Sequence, residues 1–356
     1  MASHPNREWV AQKHELSGPE ELKWAKIDPV ATHLGWIGTA HIHTPGFSNE
    51  VLKRGLSCAG VWDHDAERAQ KNAEKLGGPV LTVAELAQDA SIDGYVICSE
   101  TVHHLELVKQ LVGAGKPMFI EKPMGFSADQ SKAILQLLDE HKIVFQTGYF
   151  SRGIANFRAL KQKVDEGFFG TVTRVRASNC HSGALGGWFD TDWRWMADRS
   201  QAGVGAFGDL GTHVLDILIW MFGGISSATG VLSMGTSRYE GCDELGEALF
   251  KFSNGAIGTL AASWDDVADP VRIQVSGTKG AATLGSELLV AGPDGKFEKV
   301  EGVAAPAGFN AFLDYLEGHP AELVTAREAA NRDIVMDAIY KGAESQSWIQ
   351  IPTDWH

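Results

Sequence analysis

From Leu34 onward, short apolar runs alternate with longer helical segments, and no other feature of the chain restricts its fold as much. Such alternation reads as repeated strand-helix-strand units, because parallel neighbouring strands need a crossover of a dozen or more residues between them. Strands are predicted at Leu34–Ile37, Cys58–Trp62, Tyr95–Cys98, Pro117–Ile120 and Ile143–Gln146. The connecting segments carry helix-start chemistry: Asp65 can accept from first-turn amides, while Thr82 with Glu85 and Ser127 with Gln130 have the spacing of a capping box. Five such strands predict a doubly wound α/β sheet over residues 33–150.

Beyond about residue 150 the pattern changes. Runs at Thr171–Ala177, Ala228–Ser233, Leu249–Phe252, Ile257–Ala262, Arg272–Ser276 and Ala282–Leu284 read as strands. Asn254-Gly255 reads as a tight hairpin turn, since both residues tolerate positive φ, so the second sheet is expected to be antiparallel. Helices are predicted at Leu210–Met221, Asn310–Leu316 and Ala326–Glu344. A length of 356 residues also favours two domains. These are placed at 33–150 and 151–356, behind an extension at 1–32 that has a short amphipathic piece at Glu20–Trp24 broken by Pro29.

Charge and composition narrow the class of partner. A net charge of -14 argues against nucleic acid or an anionic membrane surface, which both need clustered Lys and Arg. No run approaches the roughly 18 apolar residues of a membrane helix, and the polar N-terminus carries no apolar export signal, so a cytoplasmic enzyme is the default expectation. Cys58, Cys98, Cys180 and Cys242 show no metal-ligand pairing and are read as reduced thiols.

Two segments carry candidate chemistry. The first, Gly38-Thr39-Ala40-His41-Ile42-His43, closes the first strand and opens a helix, where backbone amides and the helix dipole can hold a pyrophosphate. Its glycine pattern is imperfect, with Ala40 and His43 at positions that favour glycine. Asp63 ends the second strand 20 residues beyond His43, where a carboxylate can accept from ribose hydroxyls and repel a 2'-phosphate; NAD is favoured over NADP, and His64 follows instead of an arginine.

The second combines Glu121-Lys122-Pro123, at the carboxyl edge of the sheet, with Asp209 and His213, which share one helix face at i and i+4. Oxidising an alcohol needs a base for the hydroxyl proton, a role that neutral His213 suits; Lys122 can polarise the oxygen, and Asp209 can orient a hydroxyl or the imidazole. His41, His43, His103 and His104 share no ligand spacing with a carboxylate on one helix face, so no metal is expected. The loop from Gly187 to Trp195 mixes aromatic, acidic and arginine side chains, as a sugar site would.

Together, the imperfect glycine motif, Asp63, Ser99-Glu100-Thr101-Val102-His103-His104, Glu121-Lys122-Pro123, Trp193-Arg194 and Gly208-Asp209-Leu210-Gly211-Thr212-His213 resemble the Gfo/Idh/MocA family of oxidoreductases. The resemblance runs from about Leu34 to the end of the chain. It implies an N-terminal Rossmann domain, a C-terminal domain with a large open, mostly antiparallel sheet, bound NAD or NADP, a sugar, glycoside or inositol-type substrate, and a homo-oligomer, dimer or tetramer. Lys122, Asp209 and His213 match its catalytic positions. Cofactor contacts are expected from Gly38 to Ile42 and at Asp63, Ser99, Glu100, His104, Glu121 and Lys122. Substrate contacts are expected from Tyr149, Arg152, His181, Trp193 and Arg194. Glu100 departs from the family, which commonly has proline in that loop. Two further readings stay open: a glycoside-cleaving enzyme that keeps its NAD, and a non-catalytic dinucleotide-binding regulator.

Overall fold

The computed structural model describes residues 32–352; apart from Thr32, the expected extension at 1–32 lies outside the described residues. The first half runs β1 (His33–Ile37), α1 (Thr44–Lys53), β2 (Ser57–Trp62), α2 (Ala66–Leu76), α3 (Val83–Gln88), β3 (Gly94–Ile97), α4 (His104–Leu111), β4 (Met118–Ile120), α5 (Ala128–Glu140) and β5 (Phe145–Gln146). All five strands are parallel, in the order β2-β1-β3-β4-β5. A parallel bridge from Val61 to Val80 adds a minimal sixth position outside β2, which completes the dinucleotide-binding order 3-2-1-4-5-6. The order in which strands are added reverses between β1 and β3, and the crevice there is where such sheets take ligands.

Side chains alternate across this sheet into two cores. Ile37, Tyr95, Ile97, Met118 and Ile120 pack with Leu107, Val108 and Leu135 of α4 and α5. Leu34, Trp36, Val96 and Phe119 face the other way, toward Val51, Ala73 and Leu76 of α1 and α2. Each such fully buried side chain stabilises by roughly 1.5–3 kcal/mol relative to exposure. Helix starts follow the sequence at Asp65 and Thr82, the latter a complete capping box with Glu85. Ser127 accepts from Gln130 N, but Gln130 Oε1 takes the amide of Phe126, so only half of that box forms.

The second half runs α6 (Ala155–Asp165), β6 (Val172–Cys180), α7 (Arg199–Ala202), α8 (Ala206–Phe222), β7 (Ile225–Ser233), β8 (Leu245–Phe252), β9 (Ile257–Ser263), β10 (Ile273–Gly277), β11 (Ala281–Leu284), β12 (Leu288–Ala291), β13 (Phe297–Val300), α9 (Phe309–Leu316), α10 (Ala326–Ser345) and β14 (Ile349–Gln350). Its nine strands are ordered β13-β12-β11-β10-β6-β9-β8-β7-β14. They are antiparallel except for the central pair β6 and β9, so the sheet is mixed and, as expected, mostly antiparallel. Burial alternates strictly along β8, which leaves one face of the sheet open and buries the other beneath α8 and α10.

Three expectations change. The β8–β9 turn spans four residues, with Gly255 alone at positive φ; Asn254 instead accepts from Ala256 N and donates to Phe222 O. The stretch Arg199–Phe222 is long and apolar enough to cross a membrane, yet its 18-residue window of mean hydropathy 1.3 is 83% buried inside the protein. The division at 150/151 is crossed in space, because Phe309, Phe312 and Leu313 of α9 complete the core on one face of the parallel sheet. The four thiols are free, with Cys98 and Cys242 buried and Cys58 and Cys180 half-buried.

Candidate active site

At the β1 exit Gly38 takes φ +77°, and a Cβ there would stand 2.5 Å from Ser99 Cβ and 2.6 Å from its Cα. Only glycine permits this approach of the first loop to the loop after β3. The amides of Gly38, Thr39 and His41 bond to Trp62 O, Asp63 Oδ2 and Cys98 O. Those of Ala40 and Ile42 meet no acceptor among the described residues, and helix α1 begins without a side-chain cap. Unpaired amides ahead of an uncapped helix fit a pyrophosphate.

Asp63 ends β2 as expected, but its carboxylate is already occupied. Oδ2 accepts from Thr39 N (2.7 Å), Thr39 Oγ1 (2.9 Å) and Arg68 Nε (2.9 Å); Oδ1 accepts from Arg68 Nη2 (2.7 Å) and Asp65 N (3.0 Å). Burial would raise its pKa, but Arg68 and these amides outweigh burial and lower it. Glu100 joins the cluster, taking Arg68 Nη2 at 2.9 Å and His64 Nε2 at 3.0 Å. Arg68 is a basic residue at the ribose end that the sequence reading missed. His104 is buried with Nδ1 3.1 Å from Met124 O and Nε2 3.3 Å from Ser99 O; burial lowers its pKa, so the neutral ring donates to only one of these two carbonyls at a time.

Glu121 is fully buried at the end of β4, and a Cβ on Gly148 would collide with its Oε2. That oxygen accepts from Lys122 N at 2.6 Å, while Oε1 accepts from His43 Nδ1 at 2.5 Å. Burial opposes its ionisation, but His41, His43 and Lys122 hold it well below the usual carboxylate range. Burial also drives His41 down to about 3, so its imidazole stays neutral. Folding thus gathers His41, His43 and Glu121 with potential ligand atoms within 4.8 Å of one another, which chain spacing could not show. The 2.5 Å separation is that of a hydrogen bond, whereas two donors on one tetrahedral ion at about 2.0–2.2 Å stand roughly 3.4 Å apart. Trp195 closes over this loop, its Nε1 donating to Ala40 O at 3.0 Å.

Lys122 and Asp209 meet across the two sheets. Lys122 Nζ, 3% exposed, bonds Asp209 Oδ1 at 2.6 Å and the Asp209 carbonyl at 3.3 Å. Trp264 Nε1 donates to the other oxygen, Oδ2, at 3.2 Å. Asp209 is therefore taken up in holding Lys122 and does not orient His213. Burial alone would raise the Asp209 carboxyl, but the Lys122 ammonium prevails and lowers it to about 2. Burial, then the charge of Lys122, pushes His213 well below the ordinary imidazole value. Its Nδ1 is buried without a partner, and its ring packs against Phe150 at 5.1 Å and Tyr149 at 6.0 Å.

The other expected substrate contacts divide. His181 packs against Trp188 at a tilt of 31° with ring centroids 4.7 Å apart; burial lowers its pKa, and the charge of Asp209 partly offsets this. Tyr149 supports α8 through Thr212 Oγ1 at 2.8 Å. Arg152 is committed elsewhere, in a two-pronged pair with buried Asp216 at 2.6 and 2.9 Å. Arg194 stays exposed, over the ring of Tyr239 and 3.8 Å from Asp190, and Trp193 is half-buried at the edge of the core. Trp264 was missed, although it lies two residues beyond the predicted strand Ile257–Ala262 and directly follows β9.

Similar proteins bear on this arrangement. Over 205 residues the chain is 28% identical to the oxidoreductase YrbE of Bacillus subtilis, covering 56% of this chain and 57% of that protein. Levoglucosan dehydrogenase of Pseudarthrobacter phenanthrenivorans is 25% identical over 55% of this chain and 56% of its own length, so the chain spans little more than half of either relative. The scyllo-inositol 2-dehydrogenase (NAD(+)) of B. subtilis is 25% identical over 71% of this chain and 72% of that protein. Among solved structures, levoglucosan dehydrogenase in complex with NADH and levoglucosan superposes with a TM-score of 0.75 at 20% identity, covering 90% of this chain and all of that one. Two family profiles match, an oxidoreductase-family NAD-binding Rossmann fold over residues 33–149 and a GFO/IDH/MocA C-terminal domain over 157–283. With both of its domains recognised, the chain belongs to the GFO/IDH/MocA oxidoreductase family.

Proposed function

We propose that this chain transfers a hydride between NAD and a CH-OH carbon of a sugar, glycoside or inositol-type polyol. The observation that carries the reading is the buried Lys122–Asp209 pair, with neutral His213 one helical turn beyond Asp209, at the carboxyl edge of a dinucleotide-type sheet. NAD bound at the Ala40 and Ile42 amides would supply the hydride acceptor at its nicotinamide C4. Inositol and levoglucosan dehydrogenases among the relatives, and NADH in the similar structures, support the substrate class and the cofactor.

Each side chain then has one task. Asp209 and Trp264 hold the Lys122 ammonium in place, and the donor that Asp209 leaves free points a hydrogen bond at the substrate oxygen. His213, kept neutral by burial and by Lys122, accepts the hydroxyl proton. Trp188 and His181, packed together at a tilt, offer an aromatic wall for the C-H face of a ring.

Steady turnover of added NAD with a panel of pyranosides and inositols tests the reading. Lys122→Ala and His213→Ala should each slow the chemical step by about 10²–10⁴-fold, the usual scale for acid-base groups, while NADH binding persists. No substrate-dependent NAD reduction across the panel, or full activity in both variants, overturns it.

A further inference from the structure

A cavity of about 180 Å³ opens behind the catalytic helix, between the end of β5, the start of α6 and the segments 306–308 and 322–324. Its floor is Gln146, which is fully buried. Oε1 of Gln146 accepts from Thr147 N at 2.8 Å and from Val324 N at 3.1 Å, and two backbone donors on one oxygen settle which way the amide faces. Nε2 is left buried with no acceptor. An unpaired buried donor costs about 1–3 kcal/mol, so this wall favours an occupant that brings an acceptor.

The other polar groups of the cavity point to the same chemistry. Arg158 lines it and bonds Glu322 at 2.9 Å, but the Glu322 side chain is 74% exposed. An exposed pair of this kind contributes about 0–1 kcal/mol, so an incoming acid displaces Glu322 at small cost. Arg152 presents a second guanidinium, already neutralised by Asp216 and Glu328. The remaining wall is carbon: Tyr149, Leu323, Val324 and the ring of Trp220.

We propose that this cavity binds a small organic monocarboxylate, its acid group on Arg158 and Gln146 Nε2 and its carbon skeleton against Tyr149, Leu323 and Val324. An apolar cavity of about 150 Å³ holds benzene, so a skeleton of roughly three to six carbons fits. The site is separate from the Lys122 pocket but mechanically tied to it. Tyr149 bonds Thr212 and Arg152 bonds Asp216, and both partners sit on α8 beside His213. An occupant therefore presses on the two clamps that seat the catalytic helix.

Calorimetric titration of the full chain with sodium butyrate tests this, with sodium chloride at matched ionic strength and erythritol as controls. Butyrate is expected to bind one site, and Arg158→Gln to weaken it by about tenfold or more, the loss of one charge-assisted contact. Arg158→Lys should recover part of that loss. Gln146→Glu keeps both backbone bonds on Oε1 but puts an acceptor where the free donor was, and should abolish binding; unfolding curves confirm that each variant folds. NADH binding should be unchanged in Arg158→Gln, which separates this site from the dinucleotide site. Three outcomes overturn the assignment: butyrate heats no larger than those of chloride, erythritol binding as tightly as butyrate, or equal butyrate affinity in Arg158→Gln and the parent.

Discussion

Asp209→Asn isolates the charge of the Lys122–Asp209 pair, because asparagine keeps the shape and one acceptor. At 2.6 Å and an effective dielectric of 20, the attraction is about 6 kcal/mol before desolvation. Breaking a buried pair by neutralising one partner costs about 3–5 kcal/mol once desolvation is counted, and that is the loss expected at pH 7. The pH dependence gives a second, independent reading. Asp209 is depressed from 3.8 to about 2 in the folded chain, against the upward pull of burial and chiefly through Lys122. A depressed carboxylate contributes stability that is fully present above its unfolded pKa and is lost as pH falls through the folded one. Here (3.8 − 2) × 1.36 is about 2 kcal/mol, of which about 1 kcal/mol has gone by pH 3. Urea unfolding of parent and variant, followed by tryptophan fluorescence, should therefore show a gap that is about 1 kcal/mol smaller at pH 3 than at pH 7. A gap that ignores pH, or one below about 1 kcal/mol at pH 7, refutes the claim that Lys122 depends on the charge of Asp209.

Three further outcomes follow from the structure. Gly38→Ala forces a Cβ to 2.5 Å from Ser99 at φ +77°, and should cost about 1–3 kcal/mol of stability and remove NADH binding, read by thermal unfolding and by nucleotide fluorescence. Arg68→Ala removes the guanidinium from Asp63, whose oxygens keep their Thr39 and Asp65 donors, so the ratio of NADP to NAD affinity should fall by about tenfold; an unchanged ratio would show that Arg68 does not meet the ribose. Asp333 is raised from 3.8 to about 7, mainly by burial, so it lowers stability progressively as pH rises from about 4 to 7. A neutral amide at this position escapes that cost, and Asp333→Asn should gain up to about 4 kcal/mol at pH 8 and almost nothing at pH 4 in paired urea titrations.

Strands with two buried faces could be read directly from the chain. Leu34–Ile37 and Tyr95–Cys98 are continuous apolar runs bounded by turns, and nothing in their neighbourhood competes with that pattern. Phe297–Val300 could not be read so, because its residues are mostly exposed and it owes its strand form to pairing with β12 alone. The same holds for Ile349–Gln350, two residues that exist as a strand only beside β7. The parallel contact of β6 with β9 escaped for a different reason: pairing direction leaves no trace in a strand's own alternation, which is set by burial.

The site divides along the same line. Position on one element was legible: the i and i+4 spacing does place Asp209 and His213 on one face of α8. Role was not, because role depends on which partner arrives from another element. Lys122 comes from the loop after β4 and Trp264 from just beyond β9, and together they occupy both Asp209 oxygens before His213 can use either. The same two arrivals leave His213 with a buried, unpaired Nδ1 and the field of Lys122 beside it. An imidazole so placed resists a lasting proton, so any proton it takes from a hydroxyl must be passed on quickly. Neutrality of His213 is thus a consequence first of burial and second of the Lys122 ammonium, with the Asp209 carboxylate opposing both. A histidine on the same helix face without that ammonium opposite would titrate closer to its ordinary value and be protonated more of the time near pH 6.5, where it could no longer accept.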